Sequence, residues 1–167
     1  LNEFLIGKKT TSEVFDLEKT ATYFAINDLL GTLHPYDWHN IRFYFDPITS
    51  RLIPIGFDAF LVGRTLEDKP LSIDNNPFGI FNDSRFVTEY VKQLERLSNY
   101  EYFSSFLEAN LDNFQTKLNI INKSYPFIEF KREDWFKTLN YIKNRLDPIE
   151  LLSIKVLSEN AQNSMTQ

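Results

Sequence analysis

Asn40 and Asp58 are the residues of this chain whose types and spacing most invite chemistry. They bracket an alternating segment. Ile41, Phe43 and Phe45 share one strand face, Asp46-Pro47 starts a turn, and Leu52, Ile53 and Ile55 return, so the stretch reads as a β-hairpin with its loop at about 46–50. If Phe45 pairs with Arg51, Asn40 faces Gly56 and Trp38 faces Asp58. Asn40 and Asp58 then become diagonal neighbours, roughly 7–8 Å apart, at the open end of the hairpin. An amide oxygen and a carboxylate are the hard donors that Mg²⁺ accepts alongside substrate phosphates, the protein's share of a kinase-type site. The competing reading is that both are solvated polar residues at strand ends.

The loop that leads into the hairpin holds His34, Pro35, Tyr36, Asp37, Trp38 and His39. His34, Asp37 and His39 have the ligand chemistry for zinc, but they lack a fourth obvious ligand and a helical His-x3-His spacing. His39 is better placed to orient the loop through backbone hydrogen bonds. Trp38 either stacks on an adenine or a sugar, or, as an aromatic beside an apolar strand, belongs to the core. A nucleophilic hydrolase finds no support, because no Gly-x-Ser-x-Gly elbow is present.

These residues need elements to hold them. Residues 1–15 read as a short apolar and basic lead-in. Asp16 then has the character of an N-cap, with Glu18 in the first turn. Leu17, Ala21, Phe24, Ala25 and Leu29 recur on one helical stripe that Ile26, Leu30 and Leu33 widen, and Gly31 is the natural stop. A deeply buried helix over 17–30 follows. Asn27 and Asp28 interrupt its apolar stripe, either to hold the 34–40 loop by hydrogen bonds or to face solvent near the helix end. Pro54 has no N–H for a ladder and belongs at an edge or a strand end. The composition of 61–82 is that of a long loop. Helical periodicity then returns over 84–98, 100–123 and 132–146, which predicts a C-terminal helical bundle, and Pro148 breaks or restarts the last helix. Lys92, Glu95 and Arg96 read as a solvated face. The aromatic residues of this half mark either core or a surface that docks a partner domain. The fold class is α+β, predominantly helical.

Bulk composition excludes several functions. At 167 residues, with 43% hydrophobic and 25% charged residues, the chain is long and apolar enough for one globular domain. A net charge of −5 without clustered Lys and Arg argues against nucleic acid as a partner. Zero cysteines removes disulfides, thiolate nucleophiles and Cys-ligated zinc. No apolar run approaches a membrane span, and no signal peptide is visible. The first residue is Leu1 and patterning begins at once, so the chain reads as a piece of a longer polypeptide.

The runs Val14-Phe15-Asp16-Leu17-Glu18-Lys19, Leu30-Gly31, Trp38-His39-Asn40-Ile41-Arg42-Phe43-Tyr44-Phe45-Asp46-Pro47 and Leu52-Ile53-Pro54-Ile55-Gly56-Phe57-Asp58 resemble the spore-coat protein CotH kinase family. The likeness is densest over 14–60 and looser to about 157. It implies a protein-kinase-like C-terminal lobe over 1–157; the polar composition of 158–167 reads as a frayed tail or a linker. It also implies ATP and Mg²⁺ as cofactors, Ser/Thr of protein substrates as acceptors, and a cell-surface, secreted or spore-associated setting. On this resemblance Asn40 matches the family's metal-binding Asn and Asp58 its DFG-like metal Asp, followed here by Ala59-Phe60. Three departures stand beside it. Pro35 occupies the place of the catalytic Asp, which leaves Asp37, three residues before Asn40, as the base. Ile55-Gly56-Phe57-Asp58 replaces Trp-Asp-Tyr-Asp. The glycines Gly7, Gly31, Gly56, Gly63 and Gly79 are isolated, and neither Lys8 nor Lys9 is placed to pair phosphate, so the N-terminal lobe must come from upstream in the parent chain. The alternative is a catalytically degenerate kinase-like module that binds nucleotide or a protein partner.

Overall fold

The computed structural model describes residues 1–32, 34–37, 39–57, 70–127 and 131–147. It is mostly helical with one small antiparallel sheet, in agreement with the α+β, predominantly helical expectation. The lead-in forms two one-turn helices, α1 (Asn2–Leu5) and α2 (Thr11–Val14). Both are tied to residues far along the chain or to the core. Thr11 Oγ1 donates to the Ile80 carbonyl at 2.7 Å, and Phe4 packs edge-on against Phe15 at 5.0 Å.

Helix α3 (Leu17–Leu30) has the predicted limits because both caps are local. The Asp16 carboxylate accepts from the Lys19 N–H at 3.1 Å, and Gly31 closes the helix at φ 65°, a conformation open to glycine without a Cβ clash. Four of the five stripe residues are buried as expected, and the buried face widens at Thr20, Asn27 and Asp28 and not at Ile26. Thr20, Ala21, Phe24, Ala25, Asn27, Asp28 and Leu29 are buried, whereas Ile26 is 40% exposed. Solvent exposure of Asn27 and Asp28 is thereby overturned: α5 (Ser84–Ser98) lies along that face and covers it.

The hairpin is β1 (Arg42–Asp46) and β2 (Arg51–Ile55), paired Arg42 to Ile55, Phe43 to Pro54 and Asp46 to Arg51. This register is one residue away from the expected one, so Asn40 does not face Gly56. The turn explains the shift. Asp46 stays in the strand while its carboxylate accepts from Ile48 N–H (3.0 Å) and Thr49 Oγ1 (2.8 Å), and Ser50 closes a four-residue loop at φ 55°. Leu52 turns its carbonyl away from β1 to accept from the Asp16 N–H at 2.9 Å. Pro54, two residues on, has the same parity, so its missing N–H falls on that outer side and costs β1 no hydrogen bond.

Residues 70–82 are not a loop throughout. They contain α4 (Ser72–Asn75) and a kinked 3₁₀ segment Pro77–Asn82, and they bury Leu71, Ser72, Ile80 and Phe81. Helix α5 follows, capped by Asp83, and then α6 (Tyr100–Asn122), capped by Asn99, and α7 (Arg132–Leu146). The core is largely aromatic. Phe24, fully buried, meets Tyr36 (5.2 Å), Phe81 (5.5 Å) and Phe86 (6.1 Å), all in tilted or edge-to-face arrangements that suit ring quadrupoles. The expected bundle is partial: α5 and α7 pack on α3, but α6 buries only Phe103 of its first turn. Lys92, Glu95 and Arg96 are exposed, as expected. Pro148 and the tail lie outside the described residues. No helix among the described residues is long and apolar enough to cross a membrane.

Candidate functional site

The segment that carries Asp37 and Asn40 leaves α3 through Gly31 and forms a 3₁₀ turn at His34–Tyr36. Pro35 and Tyr36 are buried and anchor it. Tyr23 Oη donates to the Pro35 carbonyl at 2.9 Å, and the Tyr36 hydroxyl is 3.0 Å from Ser72 Oγ. Beyond this anchor the turn winds around one carbonyl: the N–H groups of Asn40 (2.8 Å) and Ile41 (3.1 Å) both donate to Asp37 O. The backbone therefore fixes how Asp37 and Asn40 sit relative to each other.

Their side chains reach solvent. The Asp37 carboxylate is 65% exposed and lies 3.6 Å from His34 Nδ1. Asn40 Nδ2 donates to the His34 carbonyl at 3.1 Å and lies against the His34 imidazole, 3.1 Å from Nε2. The amide oxygen of Asn40, the atom a cation would use, takes none of these contacts. The other end of the hairpin is brought alongside by Arg42. Its Nη1 donates to the carbonyls of His39 (2.7 Å) and Ile41 (3.0 Å), and its guanidinium lies over the Phe57 ring at 5.5 Å. Through Arg42 the start of β1 and the chain leaving β2 share one end of the hairpin. Asp58 follows Phe57 in sequence but, with Trp38, lies outside the described residues. His39 contributes its backbone, as the sequence suggests. Among the described residues no three His, Asp or Glu side chains gather as metal ligands, so the zinc reading of His34, Asp37 and His39 gains no support.

A cleft of about 860 Å³ opens beside this end, walled by Tyr23, Ile26 and Leu30 of α3, by Pro35, and by Pro54 and Phe57 of the hairpin. Its charged lining is mixed: Asp16, Glu18, Lys19 and Arg96 all contribute, with Lys19 paired to Asp16 at 3.1 Å.

Under the loop lies a polar network that sequence reasoning touched only at Asp28. One Asp28 oxygen accepts from the Ser72 N–H (2.9 Å) and Ser72 Oγ (2.7 Å), and the other accepts from Tyr90 Oη (2.5 Å). Asp28 thus reaches the loop through Ser72 and Tyr36, not directly. Burial raises its carboxyl from 3.8 to about 6, against the opposing hydrogen bonds from Tyr90 and Ser72. The hydroxyls of Tyr36 and Tyr90 are likewise raised by burial, and that of Tyr23 is pushed up to about 12 for the same reason, so all three remain donors at neutral pH. Asn27 holds its own helix by donating to the Tyr23 carbonyl at 2.8 Å. Ser72 and Tyr90 gave no local signal, because each acts across 44 and 62 residues of chain.

Comparison with known protein families, curated proteins and solved structures gives no match.

Proposed function

We propose that this chain is the C-terminal-lobe portion of a CotH-like protein kinase, transferring phosphoryl from Mg-ATP to Ser/Thr of protein substrates. In this reading Asn40 and Asp58 hold Mg²⁺ on the β- and γ-phosphates and Asp37 is the base that accepts the substrate hydroxyl proton. The observation that carries it is the joint end of the hairpin. Arg42 bonds the 39–41 backbone and covers Phe57, so the loop bearing Asn40 and the residue before Asp58 are held side by side. The amide oxygen of Asn40, which takes none of the contacts described for its Nδ2, supports a role as cation ligand. A glycine-rich, phosphate-covering lobe would be supplied upstream.

The second reading is a degenerate kinase-like module that binds nucleotide or a protein partner without turnover. Its support is the pairing of Asp37 with His34 at 3.6 Å, which engages the only acid near Asn40 in the described loop. Calorimetric titration of Mg-ATP into the full-length protein tests the shared premise. Binding by wild type that Asp58→Ala and Asn40→Ala each weaken is expected; equal binding by all three, or none, removes the site. Transfer to a Ser-rich peptide then separates the readings. Turnover lost in Asp37→Asn supports the base, and binding without any turnover supports the module.

A further inference from the structure

The two oxygens of the Asp28 carboxylate serve different parts of the fold. Oδ2 accepts from Tyr90 of α5, between packed helices. Oδ1 accepts from the N–H and the hydroxyl of Ser72, at the start of α4. Ser72 is fully buried and Tyr36 is 4% exposed, so solvent does not stand in for these partners. No cation pairs with Asp28 among the described residues, and Asp74, the other carboxylate of this region, is itself paired with Arg145. Three hydrogen-bond donors are what compensates the buried charge.

Proton counting gives the Oδ1 arm a direction. The Ser72 hydroxyl carries one proton and lies 2.7 Å from a carboxylate oxygen, which when ionised can only accept, and 3.0 Å from the Tyr36 hydroxyl. That proton goes to Asp28. The Tyr36 hydroxyl then donates to Ser72 Oγ, so the chain runs from Tyr36 through Ser72 and ends on a group that cannot reverse it. The Tyr36 ring already packs on Phe24 at 5.2 Å, and the hydroxyl fixes its far end. The next residue, Asp37, presents the carbonyl that takes the N–H groups of both Asn40 and Ile41. An apolar residue at 28 would fill this space without a desolvation cost, but it would leave the donors of Ser72 and Tyr90 with no acceptor. We propose that Asp28 is a positioning residue for the candidate site, its Oδ1 arm fixing the turn that carries Asp37 and Asn40 and its Oδ2 arm serving only the packing of α3 on α5. Its value to phosphoryl transfer rests on the kinase reading; the positioning does not.

Amide hydrogen exchange at Asn40 and Ile41 in the full chain tests it without nucleotide. Ser72→Ala and Tyr36→Phe each break the Oδ1 arm, and Tyr90→Phe breaks the Oδ2 arm at a similar cost in overall stability. The first two are expected to speed exchange at both amides about fivefold, and Tyr90→Phe to leave it within about twofold of wild type. The double variant Ser72→Ala with Tyr36→Phe should exchange no faster than either alone, because the two hydroxyls act in series. Asp28→Asn keeps an oxygen for both Ser72 donors and is expected to retain the wild-type rate at these amides, whereas Asp28→Ala should match Ser72→Ala. If Asp28→Ala does not fold, the contrast between Ser72→Ala and Tyr90→Phe decides. Equal acceleration by Tyr90→Phe and Ser72→Ala, or no acceleration by either Ser72→Ala or Tyr36→Phe, overturns the proposal. Calorimetry with Mg-ATP on the same variants keeps the kinase reading separate. The expected exchange pattern in a chain that binds no Mg-ATP supports the positioning and removes that reading, while Mg-ATP binding with exchange unmoved by the Oδ1 variants overturns the positioning alone.

Discussion

Tyr90 of α5 donates its hydroxyl proton to Asp28 of α3 across 2.5 Å of buried interface, and so the two longest-packed helices of the core meet at a carboxylate. The same carboxylate holds Ser72, which reaches Tyr36 in the candidate loop. Three segments distant in sequence therefore share one ionisable group.

Asp28 makes stability fall as pH rises through its own titration. Its folded value, about 6, lies above the ordinary 3.8, so the native state binds the proton more tightly than the unfolded chain. The penalty for ionising it is absent below pH 4, grows between pH 4 and 6, and is complete above 6, where it amounts to about 3 kcal/mol. Asp28→Asn keeps the shape and cannot titrate. Urea denaturation of both proteins at pH 4 and pH 7 should show the variant gaining on wild type by about 2–3 kcal/mol between the two. A difference independent of pH would mean that the carboxyl is not desolvated.

Much of the scaffold under this network is legible in the sequence. Asp16, Gly31, Asp83 and Asn99 are local stop and start signals, and the helices they bound appear within a residue of the periodic segments that predict them. What is not legible depends on distance or on turn chemistry. Residues 71–82 look like a loop because their short helical pieces are held by Thr11 and Asp28, residues that no local window contains. The hairpin register turns on the Asp46 carboxylate capping two groups of its own turn, which shifts every pair by one residue and with it the geometry around Asn40. Periodicity shows that α6 has an apolar face, but it is silent on whether the rest of the chain covers that face.

Tyr23→Phe keeps the ring and removes the hydroxyl that donates to the Pro35 carbonyl. A lost buried hydrogen bond of this kind costs about 1 kcal/mol. Thermal denaturation should register that loss, and Mg-ATP affinity should fall with it, because Pro35 anchors the turn that sets Asp37 and Asn40. Stability lost with binding unchanged would separate the 34–40 loop from any nucleotide site.

Phe24 and Phe106 form a contrasting pair. Phe24 is fully buried and touches Tyr36, Phe81 and Phe86, so Phe24→Ala should cost about 3–5 kcal/mol in chemical denaturation. Phe106 is more than half exposed on α6, and Phe106→Ala should change stability by no more than about 0.5 kcal/mol. Comparable losses at the two sites would contradict the contrast between the enclosed Phe24 and the exposed Phe106.

The hairpin turn can be loosened or tightened at single residues, and amide exchange along β1 and β2 reads the result. Asp46 accepts from Thr49 Oγ1 and Ile48 N–H, and these bonds hold its carboxyl below the ordinary range. Its contribution is therefore present above the unfolded value near 3.8 and is lost as pH falls through the lower folded value, the opposite sign to Asp28. Asp46→Ala should speed exchange at Tyr44 and Ile53 relative to wild type, a difference that shrinks once acid has protonated the wild-type carboxyl. Ser50 sits at φ 55°, where a Cβ is strained, so Ser50→Gly should slow exchange, with a gain of about 0.5 kcal/mol after the greater freedom of unfolded glycine is offset. If both substitutions speed exchange equally, side-chain capping and the left-handed residue are not what sets this register, and the link between the 39–41 backbone and Phe57 must rest on Arg42 alone.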